Sequence, residues 1–447
     1  MSHTIAAIAT ANGVGSIAIV RLSGENALNI ALSIARKEKL LPRYATLSPL
    51  YTQSGELIDE AILIYFQGTK SFTGEEVIEF QCHGGFIVAQ RILRAVLEYD
   101  VRLAEPGEFS KRAFLNGRLD LTQAEAIASL IEAKSDDAAR ILARQMKGEL
   151  REYVENIRDA LLEILAYSEV VIDYAEEDLP QDVVDQILAK LQAITQNISK
   201  TLESSRRRAG LMQGYRVAII GKPNVGKSSL LNTLLDYERA IVSDIAGTTR
   251  DTIEEQVRIG THLIRLVDTA GIRKSSDEIE RIGIERSIAA IEGADVVIAL
   301  FDASRNIDEE DQAILELINR YKEEKPFIIV LNKSDLPRQF EIDTLAAYSP
   351  IHLSCKQESR ELVDALSSLM DHDNNSEEMM LISERQISAT SEALRSIEES
   401  YEPLESEELE IFSFHINQAI RAMASLTRPY ELDEMFDKMF GQFCLGK

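Results

Sequence analysis

The stretch Gly221-Lys222-Pro223-Asn224-Val225-Gly226-Lys227-Ser228 decides how this chain is read. Two glycines enclose four residues and are followed by a lysine and a hydroxyl residue, the pattern of a phosphate-binding loop. The flanks agree with it, since 215–220 reads as a β-branched strand and 229–235 as a helical run. Glycine lets backbone N–H groups curl around phosphate oxygens at the positive end of the following helix. Lys227 is placed to reach the outer phosphates, and the Ser228 hydroxyl to ligate Mg²⁺.

Three more elements follow in order. Asp268-Thr269-Ala270-Gly271 comes after a strand over 263–267, putting a carboxylate at a strand end and a glycine near the last phosphate. Asn332-Lys333-Ser334-Asp335 comes after a strand over 327–331 and resembles the guanine-reading motif of Ras-like GTPases. There the aspartate accepts hydrogen bonds from guanine nitrogens, one of which adenine replaces with an acceptor. Ser354-Cys355-Lys356, after 351–353, reads as the last base-contact loop. Between these elements, Gly247-Thr248-Thr249-Arg250-Asp251 occupies the first switch region, with Thr249 as a second Mg²⁺ hydroxyl. Any one of these is an ordinary turn, but four in order predict GTP binding.

One position departs from Ras. The residue after Gly271 is Ile272, where Ras carries the glutamine that orients the attacking water. Either hydrolysis is slow or the water is placed from elsewhere, and the following stretch offers Asp277, Glu278, Glu280 and Glu285.

Outward from the G region the chain changes character. Up to about Gly117 strands and helices mix, with strands over 16–21 and 61–66 and a helix over 86–98. Residues 121–209 are almost wholly helical, marked by Leu150, Val154, Ile157, Leu161 and Ile164 at spacings of four and three. Pro180 separates that helix from one carrying Ile187, Leu191, Ile194 and Ile198. Helical periodicity returns from about Ser376. The expected fold is therefore α/β plus all-α: a mixed α/β N-terminal domain, a helical domain, and an inserted Ras-like P-loop G domain. Expected boundaries are 1–118, 119–210 and 373–447 as the two parts of the helical domain, and 211–372 for the G domain.

Composition narrows the setting. The 447 residues are 45% hydrophobic and 27% charged, as in soluble globular proteins. A net charge of −26 excludes a global field that holds nucleic acid, so any RNA must be gripped locally. The basic run Arg206-Arg207-Arg208 reads as a solvated helix end. Three dispersed cysteines predict no disulfide framework and a reducing, cytoplasmic setting. No segment reaches the length of a membrane helix, and 5–20 lacks the basic start of a signal sequence. Cys444-Leu445-Gly446-Lys447 fits a prenylation box poorly. Cys82-His83 has no second pair for zinc, and a buried strand cysteine is the better reading.

Taken together, the phosphate loop, the GTTRD switch, DTAG followed by an aliphatic residue, NKSD, and the ending Phe443-Cys444-Leu445-Gly446-Lys447 resemble the tRNA-modification GTPase family (MnmE, TrmE). The N-terminal part shares Val20-Arg21-Leu22-Ser23-Gly24, Glu79-Phe80-Gln81-Cys82-His83-Gly84-Gly85, Ala104-Glu105-Pro106-Gly107-Glu108-Phe109 and 114–121 with it. The resemblance implies a folate-binding, dimerising N-terminal domain and a homodimer whose G domains pair in a K⁺-dependent way. It implies an FAD-dependent partner (MnmG, also GidA) and tRNA as substrate, away from membranes. The implied chemistry adds an aminomethyl or carboxymethylaminomethyl group at carbon 5 of the wobble uridine, position 34, with a one-carbon unit from 5-formyltetrahydrofolate or a related tetrahydrofolate.

The same resemblance assigns roles. Asn224, Ser243, Ile245 and Thr248 are implied K⁺ ligands, and Ser228 and Thr249 Mg²⁺ ligands. Glu280 is implied to place the attacking water through a bridging water, beside Lys227 as the catalytic cation. The implied nucleotide cradle is 224–229, then Ser243, Asp244, Ile245, Ala246, Gly247, Thr248 and Thr249, with Val225, Gly226 and Ser229 in the loop. It continues with Asp268, Thr269, Ala270 and Gly271, and with Asn332, Lys333, Asp335, Ser354, Cys355 and Lys356 at the base. Arg21, Glu79, Arg118 and Lys447 are implied folate contacts. Arg118 stands where the family commonly has lysine, and 424–429 departs from the usual family pattern before the last motif. The alternative is a regulatory or ribosome-assembly GTPase whose flanking domains bind RNA or protein without chemistry.

Overall fold

The computed structural model describes residues 3–11, 13–133, 135–173, 181–207, 214–239, 254–259, 262–268, 287–340, 345, 348–355, 360–371, 379–428 and 446. The chain forms two compact units. One comprises Met1–Ile131, Ala143–Ile198 and Glu384–Lys447; the other comprises Glu132–Leu142 and Ser199–Ser383. The second is thus inserted into the sequence of the first.

The first unit opens on β1 (Thr4–Ile8) and β2 (Ile17–Ser23), so the apolar N-terminal stretch folds as two antiparallel strands. After α1 (Ala27–Ala35) come β3 (Thr46–Tyr51), β4 (Leu57–Phe66), β5 (Val77–His83), α2 (Phe86–Leu97), β6 (Val101–Leu103) and α3 (Glu108–Leu115). The strands make one sheet in the order β3-β4-β5-β2-β1-β6, with only β1 and β6 parallel. Ile30 and Ile34 of α1 and Ile92 and Val96 of α2 pack with Val20, Leu22, Leu63 and Phe80 into the core. Cys82 belongs to this core, its Sγ donating to the Ala18 carbonyl. His83 faces away from it and pairs with Asp59, so the two side chains do not converge as metal ligands.

Four helices follow, α4 (Leu121–Glu132), α5 (Asp136–Met146), α6 (Glu149–Asp173) and α7 (Gln181–Arg207), of which α5 up to Leu142 and α7 from Ser199 belong to the second unit. Every residue of the predicted α6 stripe, Leu150, Val154, Ile157, Leu161 and Ile164, is buried. Burying side chains of this size contributes about 1.5–3 kcal/mol each, which is how so polar a helix is held. The described part of α7 runs to Arg207.

The second unit is built on β7 (Tyr215–Ile220), α8 (Lys227–Arg239), β8 (Glu254–Ile259), β9 (His262–Asp268), β10 (Val296–Asp302), α9 (Glu309–Tyr321), β11 (Phe327–Asn332), β12 (Ile351–His352) and α10 (Arg360–Asp371). Its sheet runs β12-β11-β10-β7-β9-β8, parallel except for β8. That is the strand order of a Ras-like domain. β10 is buried along its whole length, as a central strand covered by helices on both faces must be. Back in the first unit, α11 (Glu384–Glu398), α12 (Tyr401–Glu405) and α13 (Leu409–Thr427) complete the helical part. Residues 424–427 continue α13, so the departure from the family pattern there keeps its helix up to Thr427. Among the described residues, no helix is long and apolar enough to cross a membrane.

Candidate functional site

Parallel pairing fixes which residues share the carboxyl edge of the second sheet, where open α/β sheets bind ligands. Asp268 lies opposite Ile219, at the strand end that leads into the phosphate loop. Asp302 lies opposite Asn332 on β10 and β11. The loop therefore emerges between two strands that each end in an aspartate.

The loop has the backbone its glycines allow. Gly221, Asn224 and Gly226 have φ of +154°, +64° and +107°. A Cβ on Gly226 would lie 2.3 Å from Nδ2 of Asn332, and one on Gly221 would lie 2.6 Å from the Leu300 carbonyl. Val225 is buried, anchoring the loop in the core under α8. Lys227 Nζ donates to the carbonyls of Gly221 at 2.7 Å and Lys222 at 2.9 Å, so the ammonium is curled over its own loop. Ser228 and Ser229 are exposed on the first turn of α8.

The base-reading residues are stitched to that loop. Asn332, buried, donates from Nδ2 to the Val225 carbonyl at 2.7 Å and accepts at Oδ1 from the Cys355 N–H at 3.1 Å. Lys333 Nζ donates to the Asn224 carbonyl at 3.0 Å and to Asp302 Oδ2 at 2.5 Å. Asp302 also accepts from the Ser304 N–H and hydroxyl. Burial raises the pKa of its carboxyl, but the bonds from Lys333 and Ser304 outweigh this and hold it below the ordinary value. Ser354 Oγ donates to Asp335 Oδ1 at 2.9 Å. Thr233 on α8 donates to the Cys355 carbonyl at 3.0 Å. Burial pushes the Cys355 thiol up to about 11, so it is a packing group and not a nucleophile.

The structure thus brings together Asn224, Val225, Gly226, Lys227, Asn332, Lys333, Asp335, Ser354 and Cys355. Asp268 is placed by its strand. Ser243, Asp244, Ile245, Ala246, Gly247, Thr248, Thr249, Thr269, Ala270, Gly271, Glu280 and Lys356 lie outside the described residues. Sequence reading missed Asp302, Lys222, Asp308 and Asp311. For Asp302 a signal existed, since it closes an apolar strand just as Asp268 does.

A second constellation lies in the first unit. Arg21 and Glu79 are register partners on β2 and β5, with Arg21 Nε to Glu79 Oε1 at 2.9 Å. The Arg21 guanidinium sits 5.6 Å from the Phe109 ring centroid and 6.0 Å from that of Phe72, within cation–π range. Its NH1 also donates to the Gly446 carbonyl at 3.3 Å. Gly446 has φ of +93°, and a Cβ there would lie 2.5 Å from the Ile8 carbonyl, so only glycine fits so close to β1. Arg118 Nε donates to the Ser71 carbonyl at 3.2 Å, beside Phe72. Lys447 lies outside the described residues.

Comparison with known proteins matches residues 4–118 to the N-terminal part of the GTP-binding protein TrmE and residues 121–444 to the MnmE helical domain. A protein of Sulfurimonas denitrificans described as tRNA modification GTPase MnmE is 64% identical over 444 residues, 99% of each chain. One of the same description from Nitratiruptor is 60% identical over 446 residues, 100% of this chain and 99% of that one. Among solved structures, the FeoB G domain of Methanococcus jannaschii is 23% identical and covers 35% of this chain and 97% of its own, with a TM-score of 0.26. Sharing more than half its residues with such relatives from end to end, this chain belongs to the MnmE family of tRNA modification GTPases.

Proposed function

We propose that this chain hydrolyses GTP to drive modification of the tRNA wobble uridine at position 34, adding an aminomethyl or carboxymethylaminomethyl group at carbon 5. It works in the cytoplasm as a homodimer with an FAD-dependent partner, and takes a one-carbon unit from a tetrahydrofolate such as 5-formyltetrahydrofolate. The observation that carries this reading is the bond from Arg21 to the Gly446 carbonyl, which brings residue 446 to the Arg21–Glu79 pair. A pterin edge suits a carboxylate and a folate tail suits cations, and Glu79, Arg21, Arg118 and Lys447 supply both.

In the G domain, Asp335 reads the guanine edge, and Lys333 and Asn332 hold the base loop against the phosphate loop. Lys227, at the start of α8, meets the outer phosphates. Glu280 orients the attacking water that Ile272 cannot. The exposed Ser228 hydroxyl on the first turn of α8 is a hard oxygen donor suited to Mg²⁺, with Thr249 as its companion. Asn224, exposed at the loop apex, suits K⁺ together with Ser243, Ile245 and Thr248. When bound, these cations supply charge neutralisation at the transferring phosphoryl group.

Mass spectrometry of tRNA nucleosides from a strain lacking the protein tests this. Loss of the C5 modification at position 34 is expected. Unchanged nucleosides alongside retained GTP hydrolysis would leave a regulatory GTPase instead.

A further inference from the structure

The phosphate loop carries a second lysine that the nucleotide chemistry leaves unused. Lys222 follows Gly221, and its side chain is only 6% exposed. Its Nζ donates to Asp308 Oδ2 at 2.5 Å and to Asp311 Oδ2 at 2.6 Å. These two aspartates are the N-cap and third residue of α9 and close its capping box, with the Asp311 N–H on Asp308 Oδ1 at 3.1 Å. Asp311 is almost wholly buried, and its Oδ1 has no hydrogen-bond partner among the described residues. Burial alone would lower the pKa of Lys222, but the two carboxylates outweigh it and hold it above the ordinary value, so the ammonium stays charged.

The main chain of Lys222 faces the other way. Its carbonyl accepts from Lys227 Nζ at 2.9 Å, beside the Gly221 carbonyl at 2.7 Å. Pro223 comes next and confines the backbone of Lys222 to extended conformations. One residue is therefore clamped by its side chain to α9 and offers its carbonyl to the cation that meets the phosphates.

We propose that Lys222 is a positioning residue for Lys227: held by Asp308 and Asp311, it fixes the 221–222 carbonyls against which Lys227 rests and orients the loop for nucleotide. This rests on the reading of the site as a GTP site. Lys222 touches no substrate and acts through Lys227 and the loop backbone.

The test uses the full chain, with fluorescent GDP as the probe, at a temperature where circular dichroism shows each variant folded. Lys222→Met should weaken GDP binding by about tenfold or more, while Lys222→Arg stays within about threefold of the parent. The guanine-over-xanthine preference should stay unchanged, because Asp335 is held independently by Ser354. A double variant, Lys222→Met with Asp311→Leu, removes the buried carboxylate together with its partner and restores folding if Lys222→Met alone unfolds. That double variant should still bind GDP weakly. Parent-like GDP affinity in folded Lys222→Met, or in the folded double variant, would overturn the proposal and leave a stability role alone. Failure of the parent chain itself to bind GDP would instead overturn the GTP-site reading.

Discussion

Asn332 Nδ2 donates a 2.7 Å hydrogen bond to the carbonyl of Val225, 107 residues earlier in the chain. The motif that reads the base thus holds the loop that grips the phosphates. The side-chain oxygen of Asn332 is taken by the Cys355 N–H, so one buried amide ties three loops.

Asn332→Ala leaves the buried Val225 carbonyl and the part-buried Cys355 N–H without the amide that pairs them. The expected loss is about 1–3 kcal/mol in stability of the second unit, with weaker GDP binding. Urea titration followed by circular dichroism measures it, and an unmoved midpoint would contradict the bridging role.

Asp335→Asn places a donor where guanine presents its own donors. Preference should move from GTP towards xanthosine triphosphate, read by competition for a fluorescent nucleotide. An unchanged preference would mean that another residue reads the base.

Arg21→Ala removes a cation bonded to Glu79 and Gly446. Affinity for 5-formyltetrahydrofolate should fall by about 1.5–3 kcal/mol, as for a lost charged hydrogen bond, and Lys447→Ala should weaken it too. Titration calorimetry checks this, with GTP hydrolysis as the control that should not move. Parent-like affinity in both variants would remove the folate assignment.

Asp302 sets an acid limit. Its folded carboxyl titrates below the ordinary 3.8, so the protonated form is favoured in the unfolded chain. The stabilisation is fully present above about pH 3.8 and drains away as pH falls through the lower folded value. Asp302→Asn should therefore lose stability near neutral pH and narrow its deficit against the parent below pH 3.8. A deficit that is constant over that range would show that the carboxylate is not ionised for Lys333.

The absence of a glutamine after Gly271 leads to a test of cations. Hydrolysis should run much faster in KCl than in NaCl at equal ionic strength, and Asn224→Ala should erase most of the difference. Glu280→Ala should slow turnover yet keep K⁺-dependent pairing of G domains. Equal rates in both salts, with Glu280→Ala fully active, would leave the mechanism without support.

What the sequence disclosed and withheld follows from range. Strand 215–220 and the helix after it are fixed by local periodicity and glycine spacing, and the observed β7 is Tyr215–Ile220. The α6 stripe was legible for the same reason. The Asp302–Lys333 pair and the Lys222 clamp join residues 31, 86 and 89 positions apart. Asp302 closes an apolar strand, which marks its place but not its partner, and nothing in a local window distinguishes Asp308 and Asp311 from solvated aspartates. Arg118 stands where the family commonly has lysine, and its Nε, which lysine lacks, is the atom that meets the Ser71 carbonyl.

The Arg21–Gly446 bond spans 425 residues of chain. Arg21 leaves the ribosome early and can pair with Glu79 as soon as β5 joins the sheet, but its second hydrogen-bond partner comes only after residues 211–372 have been made. A chain that stops short of residue 446 lacks that carbonyl, so Arg21 keeps Glu79 and loses its long-range acceptor. Because a Cβ at 446 would already meet the Ile8 carbonyl at 2.5 Å, bulk added at that position should cost the Arg21 contact first.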